Sequence, residues 1–78
     1  MDRFTTLREI MALTFEVDEA TITAETAQAT CPKWDSLGHL NLMLAVEDAF
    51  GVRLSVDDIP RLTSVPAILA HLRALASA

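Results

Sequence analysis

The chain has 78 residues, 51% of them hydrophobic, with 6 Lys and Arg against 11 Asp and Glu and a formal net charge of −5. This length holds one domain, spanning 1–78, that buries roughly 60–65% of its unfolded surface, and its acidity excludes the basic stripe that nucleic-acid binding requires. Cys31, the single cysteine, excludes an internal disulfide and a self-contained zinc site, while the longest apolar run, residues 42–46, is far too short to span a membrane.

The N-terminus, Met1-Asp2-Arg3-Phe4, lacks the pattern of a signal peptide, so the expectation is a soluble, cytoplasmic protein, and separately a monomer. Phe4, Leu7, Ile10, Met11 and Thr14 then recur at helical spacing and predict a first helix. Either Asp2 caps it, or Thr6 and Glu9 form a capping box at a later start. A long connection rich in Thr and Ala follows, from about residue 16 to 35, with Val17 and Ile22 as its anchors and a helical turn expected within residues 23–28. Connections of this length are functional or internally packed. Cys31-Pro32 bars helix continuation there. The second helix is expected from Ser36 to Phe50, closed by Gly51. A short third helix is expected after Ser55, which forms a capping box with Asp58 and is limited by Pro60. The fourth starts near Thr63 or Ser64, tolerates Pro66 in its first turn, and buries Val65, Ile68, Leu69, Leu72 and Leu75. His71 and Arg73 are expected near its negative C-terminal end. No strand alternation or internal repeat is present, so the fold class is all-α, a small bundle.

The second helix carries two apolar faces. At about 100° per residue, Leu42, Met43, Val46, Ala49 and Phe50 gather on one side, while Leu37, Leu40 and Leu44 gather on the other. A domain of this size needs one such stripe for its core. The second, bordered by Glu47 and Asp48, is either buried by a neighbouring element or is an exposed docking strip.

Ser36, at the head of this helix, has three readings. Its hydroxyl, or the Asp35 carboxylate, can cap the helix. As a nucleophile it would pair with His39 one turn away, but the sequence has no G-x-S-x-G elbow and no evident acid to orient the histidine. As an attachment site, it would place a phosphodiester beside free N–H groups at the positive end of the helix dipole.

Asp35-Ser36-Leu37, followed by an apolar helix ending Ala45-Val46-Glu47-Asp48-Ala49-Phe50-Gly51-Val52, resembles the acyl carrier protein family and its peptidyl-carrier relatives. The long loop before Ser36, the short third helix and the Thr63-Ser64-Val65 start of the fourth extend the resemblance over nearly the whole chain. It implies a four-helix bundle that is a carrier and not an enzyme. Ser36 would receive 4′-phosphopantetheine from coenzyme A through a phosphopantetheinyl transferase, with Asp35 as the acidic residue before it. The arm would be charged by an acyl- or aminoacyl-loading ligase or transferase and discharged by a downstream synthase or acyltransferase, in lipid or polyketide biosynthesis. Leu37, Leu40 and Leu44, with Glu47 and Asp48, would face these partners, and Val46, Ile59 and Leu62 would line an acyl cavity. The family's usual acidic residues after the tripeptide are replaced here by Gly38 and Asn41, Trp34 replaces a small residue, and Pro60 interrupts the third helix. These departures imply a stand-alone carrier of a specialised pathway. The alternative is an unmodified interaction module that uses the leucine strip.

Of the remaining residues, Cys31 reads as a partly buried, unreactive thiol, and Trp34 as packing at the loop-to-core junction or beside the arm. His39 is expected to make a local hydrogen bond. Asp57 and Asp58, with Glu47 and Asp48, show no convergence of oxygens that would define a cation site.

Overall fold

The computed structural model describes residues 2–77. Three α-helices carry the chain: α1 (Arg3–Phe15), α2 (Ser36–Phe50) and α3 (Val65–Ser77), with 3₁₀ turns at Glu19–Thr21, Gln28–Thr30 and Ile59–Arg61. The first capping alternative holds for α1, because an Asp2 carboxylate oxygen accepts the Phe4 N–H at 3.3 Å. Glu16 ends the helix in the left-handed region at φ 56°, donating its N–H to the Ala12 carbonyl. Leu7, Met11 and Phe15 are the buried residues of α1, whereas Phe4, Ile10 and Thr14 are half-buried. Phe15 extends the Leu7/Met11 series by one further turn and displaces Thr14 from the stripe.

The long connection is packed and bonded rather than loose. Ile22 is buried, as expected of an anchor, and Val17 is half-buried against the core. Within residues 23–28 there is one hydrogen-bonded turn, Thr26 N–H to Thr23 O at 3.1 Å, and the 3₁₀ turns lie before it at Glu19–Thr21 and from Gln28 onward. Thr23 and Thr26 hold the intervening bend, with the Thr23 N–H donating to the Thr26 hydroxyl at 2.8 Å, and such local side-chain bonds compete with helix. Two backbone bonds then fasten the connection to the start of α3: Gln28 N–H to Thr63 O and Val65 N–H to Thr26 O, both at 2.8 Å.

The expected third helix is reduced to a bend and one 3₁₀ turn. Asp58 and Ile59 both donate to the Ser55 carbonyl, and the Ser55 hydroxyl accepts the Asp58 N–H at 3.2 Å, as its capping role required. Pro60 stops α-helix from developing: it has no N–H and disfavours helical geometry at Ile59. The predicted fourth helix is α3. Ser64 caps it by accepting the Ala67 N–H at 3.1 Å, and Val65, Ile68 and Leu72 are its buried residues. His71 lies in mid-helix rather than in the last turn, half-buried, with Nε2 3.4 Å from an Asp58 carboxylate oxygen. That contact ties α3 to the bend before Pro60.

One core joins the three helices and the connections between them, with Trp34 among its fully buried side chains. Among the described residues no helix is long and apolar enough to cross a membrane.

Candidate attachment site at the head of α2

Ser36 is the first residue of α2 and is exposed. The cap is supplied by Asp35, in extended geometry, whose Oδ1 accepts the Gly38 N–H at 2.8 Å. The first backbone bond of the helix runs from His39 N–H to the Asp35 carbonyl at 2.8 Å. The amides of Ser36 and Leu37 precede that bond and have no partner within the helix. Capping is therefore assigned to Asp35, and the Ser36 hydroxyl is left at the positive end of the helix beside these amides. Asp35→Ala is expected to lower stability by about 1 kcal/mol, which thermal unfolding would register as a fall of roughly 4–8 °C.

The loop before Ser36 is held tightly against the helix. Trp34 is fully buried and packs its ring on Phe15, with centroids 5.6 Å apart. Its indole Nε1 donates to His39 Nδ1 at 2.9 Å, and His39 Nε2 lies 2.7 Å from the Ile59 carbonyl. An indole N–H only donates and a carbonyl only accepts, so the imidazole proton sits on Nε2. His39 thus bridges the loop before Ser36 to the turn before α3. Its bond to Trp34 is local, as expected, but its bond to Ile59 is not. Both ring nitrogens are turned into the molecule, so His39 does not act as a base for Ser36 and the nucleophile reading fails.

Gly38 is set by the same packing. A Cβ at this position would stand 2.6 Å from the Lys33 carbonyl oxygen and 3.2 Å from both the Asp35 carboxylate and the Phe15 ring. The backbone of the loop lies directly over the first helical turn, and only glycine admits it.

The two faces of α2 separate by burial. Leu42, Met43 and Val46 are in the core, Phe50 is half-buried, and Ala49, assigned to the inner stripe from the sequence, is exposed. Leu37, Leu40 and Leu44 are 69%, 54% and 65% exposed, so no neighbouring element covers that strip. Glu47 differs from Asp48 in a way the sequence did not reveal. Its carboxylate is half-buried and accepts the Leu54 N–H at 2.7 Å, anchoring the chain after Gly51, while Asp48 is exposed. Val46 and Leu62 are buried in the core, and Ile59 packs half-buried against it. Cys31 is a half-buried free thiol. Among the described residues no cluster of three or more His, Cys, Asp or Glu could hold a metal ion.

No protein-family model matches the chain. Its structure is similar to the solution structure of a holo acyl carrier protein from Geobacter metallireducens, with a TM-score of 0.83 and 26% sequence identity, over 99% of this chain and 90% of that one. The chain therefore has an acyl-carrier-type fold, a likeness that runs along its whole length.

Proposed function

We propose that this domain carries acyl or aminoacyl groups as thioesters on a 4′-phosphopantetheine attached to Ser36. The observation that carries the reading is an exposed serine, relieved of capping by Asp35, at the first position of α2 in an acyl-carrier fold. The site fits the group: an outward hydroxyl to bear the phosphodiester, and first-turn amides and the helix dipole to face its charge. When bound, the arm supplies the thiol that holds the cargo. The domain supplies the tether and the recognition surface, and transfer chemistry belongs to its partners. These are a phosphopantetheinyl transferase, a loading ligase or transferase, and a downstream synthase or acyltransferase of a specialised pathway. Transfer of a fluorescent pantetheine from a coenzyme A analogue to the wild-type chain, absent from Ser36→Ala, tests the attachment.

Leu37, Leu40 and Leu44 form the surface that those partners meet, bordered by Asp48; Glu47 contributes charge while its carboxylate is engaged with Leu54. Leu44→Asp is expected to change folding stability by no more than about 0.5 kcal/mol, as an exposed substitution. The same change should slow modification at limiting substrate by roughly tenfold, the size of a modest interface residue. Normal modification together with normal stability would remove Leu44 from the surface. The exposure of the strip also supports a second reading, an interaction module that docks without being modified.

A further inference from the structure

Residues 34–39 form a closed clamp around the attachment serine. Trp34 and His39, five residues apart, are joined side chain to side chain at 2.9 Å. Inside that ring Asp35 accepts the Gly38 N–H on its carboxylate and the His39 N–H on its carbonyl, both at 2.8 Å. Each end of the clamp is fixed elsewhere: Trp34 is 1% exposed and packs on Phe15 of α1, and His39 reaches the Ile59 carbonyl at 2.7 Å. Ser36, between them, stays exposed. The clamp therefore sets the direction in which the head of α2 presents its hydroxyl, while Leu40 and Leu44 of the exposed strip lie beyond it on the helix.

The clamp depends on one proton. His39 Nδ1 accepts the indole N–H only while it carries no hydrogen of its own. An imidazolium has hydrogen on both nitrogens, which sets two donors against each other at Nδ1 and leaves the Nε2 bond to Ile59 in place. Acid therefore undoes the Trp34 half of the clamp selectively. The charged groups on the segments that meet this bridge are Lys33 and Asp35 on the approach to α2, and Asp58 and Arg61 on either side of the Ile59 turn. Asp58 is paired with His71, and α1 meets the bridge through the uncharged Phe15. We propose that Trp34 and His39 are positioning residues for the modification of Ser36, and that their bond couples this modification to protonation of His39. The inference rests on the attachment reading and adds a control on the same site.

The test measures phosphopantetheine transfer from coenzyme A to the wild type and to His39→Gln, between about pH 5.5 and 8, the interval in which histidine changes charge. A glutamine amide keeps one acceptor for Trp34 and one donor for Ile59 but takes up no proton. Using one transferase for both proteins cancels that enzyme's own pH dependence. The expected result is equal rates at about pH 8, with the wild type falling roughly tenfold behind His39→Gln at the acid end. The fall should lie in kcat rather than KM, because Leu40 and Leu44 keep their places. His71→Gln should retain the wild-type response. On the unmodified, isotope-labelled chain, the Trp34 indole N–H resonance should move over the same interval in the wild type and stay still in His39→Gln. A ratio of the two rates that is constant with pH, or an indole resonance in the wild type that ignores acid, would overturn the proposal. No transfer to a folded wild type at any pH would overturn the attachment reading together with it, and the indole titration, which needs no transferase, separates that failure from a failure of the bridge alone.

Discussion

Trp34→Ala is expected to remove a large part of the domain's folding stability. Removing a fully buried tryptophan costs about 3–5 kcal/mol, while a domain of this size holds only about 4–12 kcal/mol in total. The loss goes beyond volume, because the indole packs on Phe15 and donates to His39. Trp34→Phe separates these contributions. The ring is retained in smaller form, but His39 Nδ1 loses its donor in a buried setting, a loss of about 1–3 kcal/mol. Adding His39→Leu to Trp34→Phe should then cost less than the sum of the two single changes, with a coupling of about 0.5–3 kcal/mol. Urea unfolding followed by circular dichroism measures all four proteins. Simple additivity would show that the indole–imidazole bond contributes nothing specific.

The second large effect runs against helix propensity. At an ordinary helical position, Gly→Ala stabilises by about 1 kcal/mol. At Gly38 the added carbon would stand 2.6 Å from the Lys33 carbonyl oxygen, so either the loop or the helix must move. Overpacking of this kind costs about 1–3 kcal/mol, which leaves a net loss of up to roughly 2 kcal/mol once propensity is offset. The unfolding temperature is therefore expected to fall by roughly 4–8 °C for each kcal/mol lost. A rise in unfolding temperature would mean that the loop yields freely, and that the close approach of Lys33 is not what selects glycine here.

The same two positions show where sequence reading succeeds and where it stops. Helical periodicity located α1, α2 and α3, because apolar spacing and caps such as Asp2, Gly51 and Ser64 act locally. The division of α2 into a buried and an exposed face followed from the same arithmetic. The short third helix was overextended, since a single proline preceded by a Ser-centred bend left room only for a 3₁₀ turn. The environment of Ser36 was less legible. Gly38 and Trp34 stood out as departures from the family pattern, but their joint cause is tertiary: buried Trp34 draws the loop down, and the loop backbone then lies on Gly38. His39 reaches Ile59 across twenty residues, and Glu47 turns back to the Leu54 amide. Neither contact has a periodic signal. A Trp and a His five residues apart across a helix start was the one available hint of the bridge.

The measurement that bears most directly on the carrier function is intact mass after incubation with coenzyme A, magnesium and a broad-specificity phosphopantetheinyl transferase, with Ser36→Ala alongside. A gain of one phosphopantetheine by the wild-type chain, mapped to the Ser36 peptide and absent from the variant, is the predicted result. No gain with several transferases, on a chain shown by circular dichroism to be folded, would contradict the attachment and leave the exposed leucine strip as the working surface of an unmodified interaction module.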